Sequence, residues 1–189
     1  MDTIIRHRWF GRMGRAAALV LGLVAAAGAA RAEGTAVAPD ASACEIHRAL
    51  GRELPPECKT RGLDMPFDAA DAPATREAVF TIEFALNSAR LTAQGRAVLD
   101  KVAEVMKYPG NAGAKFVLKG FTDASGSARG NLALSKARAE AARLYLVETG
   151  GVPAAMIMAE GLGETGLLPG LPPNSPRHRR VEILADYRG

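Results

Sequence analysis

The feature that most restricts the fold of this chain is an alternation that begins near Ala78. Strand-length apolar runs and helix-length periodic stretches take turns, separated by Gly- and Pro-rich breaks. Residues 79–84 (VFTIEF) have the composition of a strand. Behind them, Val98, Leu99, Val102, Val105 and Met106 follow the i, i+1, i+4, i+7, i+8 spacing of one helical face. Thr92 precedes that helix as an N-cap candidate, and Tyr108-Pro109-Gly110 stops it. Residues 115–121 (KFVLKGF) read as a second strand, residues 131–148 as a second helix ending at Gly150-Gly151, and residues 157–161 as a third strand. A Pro- and Gly-rich loop, GLGETGLLPGLPPNSP, leads to a final strand over residues 180–187. The order predicts an α/β fold: a two-layer β-α-β-α-β-β sandwich with a mixed sheet and both helices on one face.

Upstream of this domain, set at residues 77–189, the texture is different. Arg6, Arg8, Arg12 and Arg15 precede the uncharged run AAALVLGLVAAAGAA and an Ala30-Arg31-Ala32 cleavage pattern. This predicts a signal peptide over residues 1–32, cleaved after Ala32, because the uncharged run is shorter than the ~20 residues of a spanning helix. An uncleaved inner-membrane anchor is the alternative. Residues 33–43 are small and polar and are expected to lack order. Residues 44–58 are expected to form a short stapled segment, and residues 59–76 a linker.

Export gives the two cysteines their meaning. Cys44 and Cys58 are the only ones in the chain, and in an oxidising compartment such an isolated pair predicts a disulfide. Closing a loop of ~15 residues stabilises by roughly 3 kcal/mol. A metal site is the weaker alternative, since Cys44, Cys58 and nearby His47 do not complete a tetrahedral set.

The net charge of +4 is a property of the leader. Removing its five arginines and single Asp from 24 basic and 20 acidic residues leaves 19 of each. No global positive field remains to attract nucleic acid. Aromatic residues are only 5% of the chain, too few for a base-stacking surface.

The second strand runs into GFTDASG, residues 120–126, which presents one carboxylate, Asp123. On a helical wheel with Asn131 at zero, Ser135 falls near ~40° and Arg138 near ~−20°. These three residues form a polar stripe beside an expected core face of Leu134, Ala137, Ala141 and Leu144. Two readings follow. Asp123 and Arg138 pair with each other, or Asp123 is a turn former or helix cap. Alternatively they form a split receptor for a zwitterion, with the ammonium on Asp123 and the carboxylate gripped in bidentate fashion by Arg138.

Several ordered strings bear on that choice. GFTDASGSARGNLALSKARA spans residues 120–139, GLGE residues 161–164 and HRRVEI residues 178–183, with IEFALNSARLTAQG upstream. Together, across residues 79–187, they resemble the OmpA-type C-terminal domain of OmpA, Pal and MotB proteins, whose usual strings are GHTD..G....N..LS..RA, G.GE and NRRVE. The resemblance implies non-covalent binding of peptidoglycan through the diaminopimelate of its peptide stem. By motif position, Asp123 resembles the residue that takes the ammonium and Arg138 the residue that takes the carboxylate. Thr122, Asn131 and Asn87 fall on pocket positions, and Arg180 is a further contributor or a brace of the fold. Two departures stand out: Phe121 replaces the usual His, and His178 replaces the usual Asn before the double Arg.

Catalysis is not expected. GLGETG lacks the Gly-Lys-Ser/Thr of a phosphate loop, no G-x-S-x-G elbow is present, and His178 is the only histidine of the main domain. No cofactor or metal is expected. The implied partner is peptidoglycan, in the periplasm at the wall or outer membrane. A MotB-like inner-membrane tether and a protein–protein adaptor working through residues 33–76 are the alternatives.

Overall fold

The computed structural model describes residues 34–59, 74–85 and 87–188. The expected signal peptide lies outside the described residues, as do residues 60–73 of the expected linker. The elements are β1 (Thr35–Val37), α1 (Ala43–Leu50), β2 (Thr75–Phe80), α2 (Ala93–Lys107), β3 (Lys115–Phe121), α3 (Ala128–Glu148), β4 (Ile157–Gly163) and β5 (Val181–Asp186). The sheet order is β1-β2-β5-β3-β4. β5 is antiparallel to both β2 and β3, whereas β1 is parallel to β2 and β4 to β3. From β2 onward this is the expected β-α-β-α-β-β order in a mixed sheet.

Alternate residues of the central strands turn to the helices. Ala78 and Phe80 of β2, Phe116 and Leu118 of β3, and Val181, Ile183 and Ala185 of β5 are all buried, and they join residues of α1, α2 and α3 in one core. The face read from the periodicity of α2 is the observed one: Val98, Leu99, Val102, Val105 and Met106 are at most 3% exposed. Thr92 caps this helix, its hydroxyl accepting from the Gly95 N–H at 3.1 Å. The first strand of the domain lies earlier than residues 79–84. β5 begins at Val181, the partner of Phe80, so residues beyond Phe80 have no neighbouring strand to pair with. They leave the sheet and are tied to the start of α2 by a Phe84–Leu91 bridge and by the Thr92 hydroxyl, which donates to the Glu83 carbonyl.

The expected core face of α3 is not the buried one. Leu144 is 39% exposed and Ala137 is exposed, while Asn131, Ser135, Ala139, Ala142 and Leu146 are buried. The reason is how closely α3 lies on the sheet. Gly120 and Gly161 are register partners on β3 and β4. A Cβ on Gly120 would stand 2.5 Å from the Ser135 carbonyl oxygen, and one on Gly161 would stand 2.3 Å from the Lys136 nitrogen. Only small side chains fit in that gap, so the larger Leu134 and Leu144 turn aside.

The stapled segment is part of the same core. Ser42 and Glu45 form a capping box at the start of α1. Ile46 and Leu50 are 1% and 0% exposed within the main hydrophobic cluster. The Cys44–Cys58 disulfide is present, and it consumes both thiolates of the alternative metal set. Tyr187 donates to the Leu50 carbonyl and the Arg52 N–H donates to Asn111 Oδ1, joining the segment to the residue after β5 and to the turn after α2. Within residues 33–43, expected to lack order, Thr35–Val37 form β1, which adds to β2 alongside the docked α1. Among the described residues no helix is long and apolar enough to cross a membrane.

His47 of α1 is 5% exposed and meets the Tyr108 ring edge-on, with centroids 5.1 Å apart. Burial pushes its pKa below the usual histidine value, against the pull of Glu57 and Glu104. A depressed histidine contributes stability that is present above its unfolded value, about 6.5, and is lost as pH falls through the folded value. The wild type is therefore expected to lose more melting temperature than His47→Gln between pH 7 and pH 5. Parallel melting profiles for the two proteins over that range would contradict this role.

Candidate functional site

The end of β3 and the start of α3 are joined by a turn held from several sides. The Thr122 N–H donates to the Gly163 carbonyl at 2.8 Å, and the Ala124 N–H to the Pro173 carbonyl at 2.9 Å. Within the turn the Ser125 N–H donates to Asp123 Oδ1 at 3.0 Å, an Asx turn that aims the carboxylate. Ser127 caps α3 by accepting from the Gly130 N–H. Asn131, one turn into the helix, donates to the Asp123 carbonyl at 3.2 Å and to Glu164 Oε2 at 2.6 Å.

The Asp123 carboxylate pairs with Arg179, not Arg138: Arg179 Nη1 lies 2.7 Å from Oδ2. Burial works to raise the pKa of this carboxyl, but the hydrogen bonds from Arg179 and Ser125 outweigh it and hold the group below the ordinary aspartate value. The direct Asp123–Arg138 pair envisaged from the wheel is therefore absent, and Arg179 stands in its place.

Arg138 is half-buried and held by its stem end. Its Nε donates to the Ser88 carbonyl at 3.1 Å, and its guanidinium lies 5.3 Å from the centre of the Phe84 ring. Among the described residues it has no carboxylate partner. Burial and then the like charge of Arg179 lower its pKa, with Asp123 acting in the opposite sense. The Ser88 carbonyl is presented by a turn in which Asn87 adopts φ 47°, a left-handed conformation that Asn tolerates well. Asn87 thus supports Arg138 through its backbone, with its own side chain exposed.

Arg138 and Arg179 open onto a pocket of about 280 Å³, whose lining also includes Glu83, Phe84, Phe121 and Arg180. Arg180 braces this end of the domain. It is 6% exposed, its Nη2 lies 2.6 Å from Glu182 Oε1, and it donates to the Gly166 and His178 carbonyls. Its guanidinium lies 4.0 Å above the Phe121 ring. Phe121 therefore replaces the usual His with a buried platform for Arg180, closed on another side by Gly166, where a Cβ would meet the ring at 2.3 Å. His178 is fully buried and clips the Pro-rich loop. Its Nδ1 accepts from the Leu168 N–H at 3.1 Å, leaving Nε2 to donate to the Pro172 carbonyl at 2.8 Å.

The turn and α3 bring Asp123, Thr122 and Asn131 together, and the turn at Asn87 comes to Arg138. The Thr122 hydroxyl is buried with no hydrogen-bond partner among the described residues. Arg179 was not singled out from the sequence. It lies in the bend between the 3-10 turn Pro176–His178 and β5, where no helical or strand period assigns a side chain its direction.

The fold and this end-of-sheet pocket define a two-layer α/β domain with a charged cleft lined by the segment after β2, the end of β3, Arg138 of α3 and the residues just before β5; Asp123 adjoins it through its ion pair with Arg179. The OmpA family model matches residues 83–178, and the chain belongs to the OmpA family. Outer membrane protein A of Yersinia pseudotuberculosis serotype I (strain IP32953) is 34% identical over 125 residues, covering 63% of this chain and 35% of the relative. The Shigella flexneri protein of the same name is 33% identical over 125 residues, with 63% and 36% covered. The chain thus spans about a third of the length of these curated relatives. Among solved structures, the OmpA-like domain of FopA1 from Francisella tularensis subsp. tularensis SCHU S4 is similar in fold, with a TM-score of 0.50, 21% identity, and 64% of this chain and 84% of that one covered.

Proposed function

We propose that this protein binds peptidoglycan non-covalently through the diaminopimelate of the peptide stem, as an exported protein positioned at the cell wall. One observation carries the reading. Arg138 is anchored through Nε and ring stacking, and its guanidinium faces the pocket with no carboxylate partner among the described residues. A half-buried guanidinium set this way is complementary to a carboxylate, which it grips with two parallel N–H bonds. Asp123, which adjoins this pocket through its ion pair with Arg179, is the oriented carboxylate we assign to the ammonium. The side-chain end of diaminopimelate supplies both groups. Asn131 and Thr122 shape the turn, Asn87 supports Arg138, and Arg180 holds the Phe121 platform instead of touching ligand.

This is binding chemistry: the groups are two fixed charges and a ring of backbone hydrogen bonds. We assign the stapled segment the role of a buttress, since Ile46 and Leu50 turn its apolar face inward instead of toward another protein. The test is cosedimentation of the purified protein with sacculi in the presence of increasing free meso-diaminopimelate. Sedimentation that falls with added competitor supports the reading. No sedimentation, or sedimentation indifferent to competitor, rejects it.

A further inference from the structure

The roles assigned above leave the Arg179 guanidinium without a part. Three arginines meet at the pocket, and they differ in how they are held. Arg180 is fixed by Glu182, two carbonyls and a ring, and Arg138 by the Ser88 carbonyl and the Phe84 ring. Among the described residues, Arg179's side chain has a single partner, Asp123. The two sides of that pair are unequally covered: the Asp123 side chain is 11% exposed and that of Arg179 is 47% exposed. Oδ1 is committed to the Ser125 N–H, so the guanidinium covers the other carboxylate oxygen, Oδ2.

We propose that Arg179 is a displaceable internal cation, occupying in the ligand-free chain the Asp123 oxygen to which an arriving ammonium binds. This rests on the reading of the pocket as an ammonium and carboxylate receptor. An ion pair with one exposed partner opens at small cost, because water solvates the released guanidinium. The exchange conserves charge at Asp123, since one cation leaves as another arrives. Arg179 therefore keeps the carboxylate neutralised and oriented while the site is empty, and competes with ligand for it. Arg179 already lines the pocket beside Arg138, and once it is parted from Asp123 the two like charges oppose one another without that carboxylate between them. Only a ligand that also brings a carboxylate relieves that opposition, so the exchange favours a zwitterion over a simple amine.

The decisive variant is Arg179→Gln, which removes the charge at a half-exposed position and leaves the fold intact by melting curve. The probe is a soluble muropeptide whose stem ends in meso-diaminopimelate, titrated calorimetrically. Removal of the competitor is expected to tighten binding by roughly three- to tenfold, the range of a modest charge-assisted contact. In the absence of ligand, the Asp123 carboxyl followed by NMR is expected to titrate at higher pH in the variant. A wild type that binds together with a variant that binds equally or more weakly overturns the proposal alone, and weaker binding would make Arg179 a direct ligand contact. Failure of both proteins to bind overturns the receptor reading and the proposal together. An unmoved Asp123 titration shows that Arg179 does not hold that carboxylate, which also overturns the proposal.

Discussion

Replacing Asp123 or Arg138 by Ala is expected to abolish measurable sedimentation with sacculi while leaving the melting temperature close to that of the wild type. Each substitution removes one half of a two-point contact. A hydrogen bond to a charged group contributes ~1.5–3 kcal/mol, so the loss per variant is about 10- to 100-fold in affinity. The folded chain tolerates the changes for different reasons. Arg138 is joined to the protein by one hydrogen bond and a ring contact, and Asp123 releases a guanidinium that is already half-exposed. Asp123→Ala also removes the Asx bond to Ser125. Asp123→Asn is the second measurement here, because it keeps that acceptor and removes only the charge. Wild-type sedimentation by Asp123→Asn and Arg138→Ala would show that the wall is held somewhere else on the molecule.

Substituting Gly161 by Val is expected to be the most destabilising single change in the sheet, with a melting temperature lower by roughly 10 °C. A Cβ at Gly161 would lie 2.3, 2.5 and 2.6 Å from the N, Cα and Cβ of Lys136, so the obstruction is helix backbone and no rotamer change relieves it. Relief requires α3 to lift from β3 and β4. Overpacking of this kind costs about 3 kcal/mol, and a domain of this size loses roughly 2–4 °C per kcal/mol. Because Arg138 rides on α3 and Asp123 on the preceding turn, the same shift separates the two halves of the site. The companion measurement is Ala137→Lys, on a face the wheel assigned to the core but the fold exposes; its stability is expected to change by no more than ~0.5 kcal/mol. A stable Gly161→Val variant or a collapsed Ala137→Lys variant would reverse the orientation of α3 described above.

These two experiments also divide what is readable along the chain from what is not. The face of α2 is readable because its partners are large and apolar, so burial and hydrophobicity coincide at Val98, Leu99, Val102, Val105 and Met106. The face of α3 is not readable that way. It carries alanines on every side, and side-chain size pointed to Leu134 and Leu144. The missing side chains of Gly120 and Gly161, 15 and 25 residues away from Ser135 and Lys136 whose backbone they meet, decide instead which face fits. The disulfide was readable because the chain offers one pair of cysteines. The docking of its segment into the core was not, since nothing local in ACEIHRAL says what Ile46 and Leu50 will meet.

The charged site shows the same division. The motif strings identify Asp123 and Arg138, and they mark Phe121 and His178 as departures. They do not reveal that Phe121 serves as a platform for Arg180, or that His178 clips the proline-rich loop beside the Asp123 turn. Nor do they separate Arg179 from Arg180, two identical neighbours before β5 whose roles depend on what each one meets: Asp123 for the first, Glu182 and the Phe121 ring for the second. The sequence by itself determined the order of elements from β2 onward, the apolar face of α2, the cysteine pair and the two charges on which the proposed receptor rests. Only the tertiary structure decided which residue pairs with Asp123, which face α3 buries, and how the stapled segment joins the core. The physical reason is that periodicity and composition act within one element, while a close backbone approach or an ion pair depends on several elements meeting at a single place.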